Sequence, residues 1–186
     1  MNKPKCIMVT GRPGSGKTTL AEKLSKELYL PKLSRDEIKE GYVNTFNIKH
    51  DNLSKDTNIT VNEIFFESTI NFLNWNVSII IEAAFQHKLW NTIISKIIQI
   101  AQPFIIICDL DEKISAKRHL ERGLKDPNRE FFHGDKRVSI YRETGQFLSG
   151  GTYDTPDFDL PTLLVSTHNG YLPEINEIIK FIKEKI

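Results

Sequence analysis

Eight residues near the start of the chain, Gly11-Arg12-Pro13-Gly14-Ser15-Gly16-Lys17-Thr18, carry the strongest chemical signal in the sequence. Their spacing is G-x-x-x-x-G-K-[ST], that of a loop which cradles phosphate groups. The glycines let the backbone fold back until its N–H groups converge on an anion. A lysine at position 17 can reach the β- and γ-phosphates of a nucleotide, and the Thr18 hydroxyl can ligate Mg²⁺. Thr19 continues the run into a helix. The expected cofactors are therefore ATP and Mg²⁺, held by residues 11–19.

Moving a phosphoryl group also needs cations near the transferred group and something to orient the nucleophile. Arg118 and Arg122 stand four residues apart, one above the other on a helix. From Glu112 to Arg142 there are nine Lys/Arg against five Asp/Glu, which makes a basic segment suited to closing over phosphates. Its alternative reading is a solvated charged helix. Asp36 is the candidate for accepting a proton from an attacking hydroxyl. By spacing alone it serves equally well as an acid in a first helical turn, where it favours the helix dipole. Glu82 and Asp109 follow apolar runs, and either could hold the hydration shell of Mg²⁺, Glu82 through a water. The five histidines, His50, His87, His119, His133 and His168, show no metal-ligand spacing and read as ordinary.

These residues need a scaffold. Cys6–Thr10 reads as a short apolar strand, and Leu20, Leu24 and Leu28 recur every fourth residue on one helical face. Residues 30–33 read as a second strand, followed by Ser34-Arg35-Asp36-Glu37, an S-x-x-E capping box that starts a helix. Residues 59–73 read as a helix, 77–81 as a strand buried on both faces, 87–100 as a helix and 104–108 as another buried strand. A helix is expected over 112–122, a loop over 123–134, a helix after Asp135 as N-cap, and a loop over 145–159. Residues 161–165 form a last strand and 173–186 an amphipathic helix. Strands alternating with helices imply a parallel sheet with helices on both faces. Ligands then bind at the carboxyl ends of the strands, where Gly11, Asp36, Glu82 and Asp109 all fall.

A chain of 186 residues with 39% hydrophobic and 26% charged residues reads as one globular domain. A net charge of +1 gives no general attraction for nucleic acid or membrane. No apolar run is long enough to span a bilayer. Cys6 and Cys108 both fall in strand patterns, which predicts buried thiols in a reducing compartment. With the first strand beginning within a few residues, a cytoplasmic protein without a signal peptide is expected.

Taken together, Gly11–Thr18, Ser34-Arg35-Asp36-Glu37-Ile38-Lys39, Ile81-Glu82-Ala83 and Lys117-Arg118 with Arg122 resemble a branch of P-loop kinases. This branch includes polynucleotide-kinase-like, zeta-toxin-like and chloramphenicol-phosphotransferase-like enzymes, and the resemblance spans nearly the whole chain. It implies a three-layer α/β P-loop NTPase fold, a five-stranded parallel sheet in the order 2-3-1-4-5, and a small lid over about 112–142. It implies Asp36 as general base, Arg122 on the transferring phosphoryl group with Arg118 beside it, and Lys39 as an acceptor-binding residue where the family has arginine. Glu82 stands where the family often has aspartate.

The expected activity is ATP-dependent transfer of the γ-phosphate to a hydroxyl of a small-molecule or nucleoside-like acceptor. A polynucleotide 5′-hydroxyl end and a nucleotide-driven ATPase or switch are the alternatives. The acceptor segment is placed at about 41–76, where Phe46, Phe65, Phe66 and Trp75 could line a pocket or pack in the core. Lys49 and Lys55 there are outnumbered by Asp51, Asp56, Glu63 and Glu67, which favours a small acceptor over a nucleic-acid end. No N-K-x-D base-reading motif occurs at Ser166-Thr167-His168-Asn169-Gly170, so a GTPase is not expected.

Overall fold

A computed structural model describes residues 3–184. Five parallel strands, β1 (Lys5–Gly11), β2 (Lys32–Ser34), β3 (Ile79–Glu82), β4 (Gln102–Asp109) and β5 (Thr162–Ser166), form one sheet in the order β2-β3-β1-β4-β5. The central strands are apolar along their whole length because both of their faces are covered. Alternate residues serve opposite layers. Cys6, Met8, Ile79, Ile81 and Ile105 pack against α3 (Thr57–Asn74) and α4 (His87–Ile100). Ile7, Val9, Ile80 and Ile106 pack against α1 (Lys17–Leu28) and α8 (Ile175–Glu184).

The helices follow the same logic. Val61, Phe65, Thr69 and Leu73 are the buried stripe of α3, and Trp90, Ile93, Ile94 and Ile97 that of α4. Ile178 and Ile182 anchor α8, each fully buried side chain contributing about 1.5–3 kcal/mol. Lys185 and Ile186, which the sequence reading places in this last helix, lie outside the described residues. Both thiols are buried and free, and burial pushes Cys108 up to about 12, so it is inert as a nucleophile at neutral pH. No helix among the described residues is long and apolar enough to cross a membrane.

Four expectations change. The capping box is only half right: Ser34 occupies the N-cap of α2 (Arg35–Phe46) but makes no side-chain cap. Its hydroxyl donates to Glu82 instead, and Glu37 pairs with Lys32. The strand read at 77–81 begins at Ile79 and ends on Glu82, so Glu82 is in the sheet rather than after it. Pro103 does not precede the fourth strand but lies within it, paired with Cys6. The stretch read as a loop over 123–134 continues α5 (Glu112–Lys125) and then forms α6 (Asn128–His133), before α7 (Lys136–Thr144).

Candidate active site

The glycine-rich loop joins β1 to α1 at the carboxyl edge of the sheet. Gly11, Gly14 and Gly16 all have positive φ, at 144°, 86° and 86°. A side chain at Gly11 would come within 2.6 Å of the Cys108 carbonyl, and one at Gly14 would collide with the Ser115 carbonyl of α5. Gly16 is the N-cap of α1 and supplies no side chain, so the first N–H groups of that helix are left to an incoming anion. Thr167, after β5, donates its hydroxyl to the Ser15 carbonyl at 2.7 Å and braces the loop from outside.

Lys17 opens α1 and is nearly buried. Its Nζ lies 3.5 Å from Glu82 Oε1, while Ser34 Oγ donates to Glu82 Oε2 at 2.7 Å. Glu82 thus joins the ends of β2 and β3 to the loop. Its Oε1 accepts no hydrogen bond, and the buried Ser15 hydroxyl has no partner either. Two unsatisfied buried oxygens beside a lysine and a half-buried Thr18 suit a hydrated divalent cation with its phosphates. Asp109, the other carboxylate considered for that duty, is exposed and lines a separate polar cavity with Arg12 and Tyr153. Thr19 is exposed on the first turn of α1.

A cavity of about 510 Å³ opens in front of the loop. Seven Lys/Arg side chains and three carboxylates line it, so it favours a polyanion. Pro13, Lys17, Asp36 and Lys39 form one side and Arg122 the other. Asp36 stands 3.6 Å from Arg35 Nη1. Burial works to raise its pKa, but the positive charge of Lys17, His133, Arg35 and Lys39 outweighs burial and holds the carboxyl below its ordinary value. Arg35 is fixed by Asn62 and Asn58 of α3, which accept from its Nε and Nη2 at 3.0 and 2.8 Å.

Lys39 is 4% exposed, and its Nζ donates to the His133 carbonyl at 3.1 Å. Burial, helped by Arg35, pulls its pKa down to about 8 against the opposing pull of Asp36, Asp51 and Asp135. No carboxylate lies within ion-pair distance of it among the described residues, which leaves a buried ammonium facing the cavity.

Arg118 and Arg122 part company. Arg122 reaches the cavity, whereas Arg118 donates from Nη1 and Nη2 to the carbonyls of Thr167 and His168, at 3.0 and 2.8 Å. The four-residue spacing places both on one side of α5, but the length of the side chains lets them serve opposite ends of the site.

Several participants escaped the sequence reading. His133, Gly134 and Arg137 line the cavity from α6, α7 and the turn between them, beside Arg129, an arginine the sequence already offers after Arg118 and Arg122. His119 lines it from α5, so two of the five histidines are not ordinary surface residues. Tyr153, deep in the loop over 145–159, exchanges a hydrogen bond with Thr10 at 2.9 Å, and Arg12 Nη1 donates to the Gly151 carbonyl at 2.6 Å. That loop is strapped across the glycine-rich loop. None of the cavity lining comes from 41–76. Phe65 is core, Phe66 packs against it, and Phe46 and Trp75 are exposed elsewhere. The segment acts through a clasp instead: Lys49 pairs with Glu130 at 2.7 Å, next to the His133–Glu40 hydrogen bond at 2.8 Å. No group of His, Cys, Asp and Glu suited to an all-protein metal site occurs among the described residues.

A parallel sheet in the order 2-3-1-4-5, with this loop at the end of its central strand, is the P-loop kinase fold. The chain belongs to the AAA_33 family, described as an AAA domain, whose profile matches residues 6–138. No curated protein matches it significantly in sequence. Among solved structures, a presumed kinase from Chloroflexus aurantiacus is similar over 100% of both chains, with 23% identity and a TM-score of 0.79. The APS kinase of Mycobacterium tuberculosis, in complex with AMPPNP and APS, is similar over 99% of this chain and 100% of its own, with 14% identity and a TM-score of 0.66. A chain of the Pnkp1/Rnl/Hen1 RNA repair complex is similar over 86% of this chain and 51% of its own, with 18% identity and a TM-score of 0.58.

Proposed function

We propose that the protein is an ATP-dependent phosphotransferase that moves the γ-phosphate to a hydroxyl of a small, polar acceptor. The observation that carries this reading is that Lys17, Asp36 and Arg122 line one cavity. The glycine-rich loop and the start of α1 hold the phosphates by their N–H groups. Mg²⁺ would be held by Thr18 and, through water, by Glu82, and it offsets the β- and γ-phosphate charge when bound. Asp36, ionised at neutral pH, accepts the proton of the acceptor hydroxyl as that oxygen bonds to Pγ and the bond from Pγ to ADP breaks. Arg122 faces the charge of the group in transit. Arg118 steadies the loop after β5. Lys39 faces the acceptor.

Two arrangements favour a small acceptor over a nucleic-acid end. α6 is clasped to Glu40 of α2 and to Lys49 beyond it, on the side of the cleft where Lys39 meets His133, and 41–76 offers no aromatic platform in the cavity. One of the similar structures is an APS kinase and another belongs to an RNA repair complex, so both acceptor classes belong in the test. An ATPase built on Glu82 is disfavoured, because Asp36 lines the cavity in front of the loop and Glu82 does not.

The test is a radiolabelled-ATP screen against pooled sugars, nucleosides, antibiotics and oligonucleotides with 5′-hydroxyls. A labelled small-molecule product is expected. Asp36→Asn is expected to lower its formation by about 10²–10⁴-fold with ATP affinity retained. Labelled oligonucleotide alone would overturn the acceptor class, and undiminished transfer by Asp36→Asn would overturn the base.

A further inference from the structure

His119 stands on α5 one turn before Arg122 and touches three parts of the site. A side chain at Gly14 would lie 3.2 Å from its Cβ, so the residue abuts the phosphate loop itself. Its Nε2 is hydrogen-bonded to Asp135 Oδ2 at the start of α7. Its Nδ1 lies 3.4 Å from Nη2 of Arg122. Asp135 is held in turn: its Oδ1 accepts from the Arg137 backbone N–H at 3.0 Å, which caps α7, and from Arg137 Nε at 2.9 Å.

The chemistry of these partners selects one form of the ring. Burial raises the pKa of Asp135, but its bonds to His119 and Arg137 outweigh that and hold it well below the carboxylate range, so it is an acceptor only. The ring must therefore donate from Nε2. Arg137 Nη2 also lies 3.1 Å from this nitrogen, but the Asp135 oxygen is nearer, and it is Arg137 Nε that donates to both oxygens of that carboxylate. Nδ1 is then left as the acceptor, and the group facing it is the guanidinium of Arg122, which can only donate.

Resting on the reading of Arg122 as the cation of the transferring phosphoryl group, we propose that His119 is a positioning residue that orients Arg122 and, through Asp135, makes its placement depend on the docking of α7. The chain Asp135–His119–Arg122 has a carboxylate, an imidazole with a donor at one end and an acceptor at the other, and a guanidinium. It couples closure of the segment after α5 to the competence of the arginine. A proton on Nδ1 would replace its lone pair with an N–H directed at Arg122. The charges facing the ring are Asp135 and Arg137 from α7 and Arg122 from α5; the phosphate loop brings only Gly14. Burial, with Arg137 and Arg122, pulls the imidazole pKa below its ordinary value against Asp135, so the competent form holds at neutral pH and is lost on acidification.

The experiment uses the whole protein and MgATP with water as acceptor, followed as release of labelled phosphate. Wild type, His119→Ala, His119→Gln, Arg122→Ala and the double variant His119→Ala/Arg122→Ala are compared for kcat, KM, melting temperature and pH profile. His119→Gln keeps a donor for Asp135 but offers no acceptor at the Nδ1 position. Both His119 variants are expected to lose about 10–100-fold in kcat, with KM within about threefold. The double variant should fall no further than Arg122→Ala, and the acid limb of kcat assigned to the ring should vanish in Arg122→Ala. A wild-type kcat in His119→Gln, or losses that multiply in the double variant, would overturn the positioning role while leaving Arg122 in place. A wild-type kcat in Arg122→Ala would overturn the Arg122 reading and the positioning role with it. If His119→Ala fails to fold, His119→Gln decides alone.

Discussion

At the scale of the residue, the site depends on charges that neutralise each other across long sequence separations. Lys17 is not a lone cation waiting for phosphate, because Glu82 sits 3.5 Å away and both are nearly buried. Lys17→Ala therefore has two expected effects. Phosphoryl transfer should be lost, since no other side chain replaces that charge at the loop. Stability should also fall, by on the order of 1–3 kcal/mol, because Glu82 is left buried without its counter-charge. Adding Glu82→Gln should recover much of the stability and none of the activity. Chemical denaturation of the three proteins checks this, and an unaltered midpoint in Lys17→Ala would mean that the pair carries no structural weight.

At the scale of the element, the segment after β4 consists of the three helices α5, α6 and α7, which we propose act as a lid. α6 rests on Glu40 of α2 through His133 and on Lys49, in the turn after α2, through Glu130, partly exposed pairs of the kind that contribute about 0–1 kcal/mol each. Contacts this weak can open and close. Amides over 123–137 are expected to exchange quickly in the protein alone and to slow with Mg²⁺ and a non-hydrolysable ATP analogue. Equal exchange in the two states would argue against closure. The joint between α5 and α7 is firmer, since Asp135 caps α7 and binds both His119 and Arg137. Asp135→Ala should cost about 1–2 kcal/mol through the lost cap alone. The pH dependence has a definite sign. The folded-state pKa of Asp135 lies below that of an unfolded chain, so its contribution is complete above the ordinary aspartate value and is lost as pH falls towards the lowered one. Between about pH 4 and neutrality the contribution is present, and below that range the stability gap between wild type and Asp135→Asn should narrow. A gap that widens on acidification would contradict this.

At the scale of the molecule, ligand binding and folding are linked because the nucleotide loop joins the central strand to the core helix α1. MgATP at about 100 times its dissociation constant adds about 2.7 kcal/mol, which for a chain of this size raises the melting temperature by about 5–11 °C. Asp36→Asn should keep that shift and Lys17→Ala should lose most of it; scanning calorimetry distinguishes the two. Much of this architecture is legible in the sequence. The loop spacing, the leucine stripe of α1, the apolar runs of β1, β3 and β4 and the periodicity of α4 are local patterns, set by residues within a few positions of one another. Together they determine a nucleotide-binding α/β domain. The order of the strands came from the family resemblance and not from any pattern in the chain. What only the tertiary structure decides is who meets whom. Ser34 looks like a helix cap, yet its hydroxyl bonds Glu82, 48 residues away, because parallel pairing sets Ser34 opposite Glu82 and that buried carboxylate needs a donor more than the solvated helix end does. Arg118 and Arg122 look equivalent until the loop after β5 captures one of them. His119 looks ordinary until α7 brings Asp135 to its far nitrogen. A propensity records what a residue prefers among its neighbours in the chain. The partners of a buried polar group are chosen by packing, which no local pattern contains.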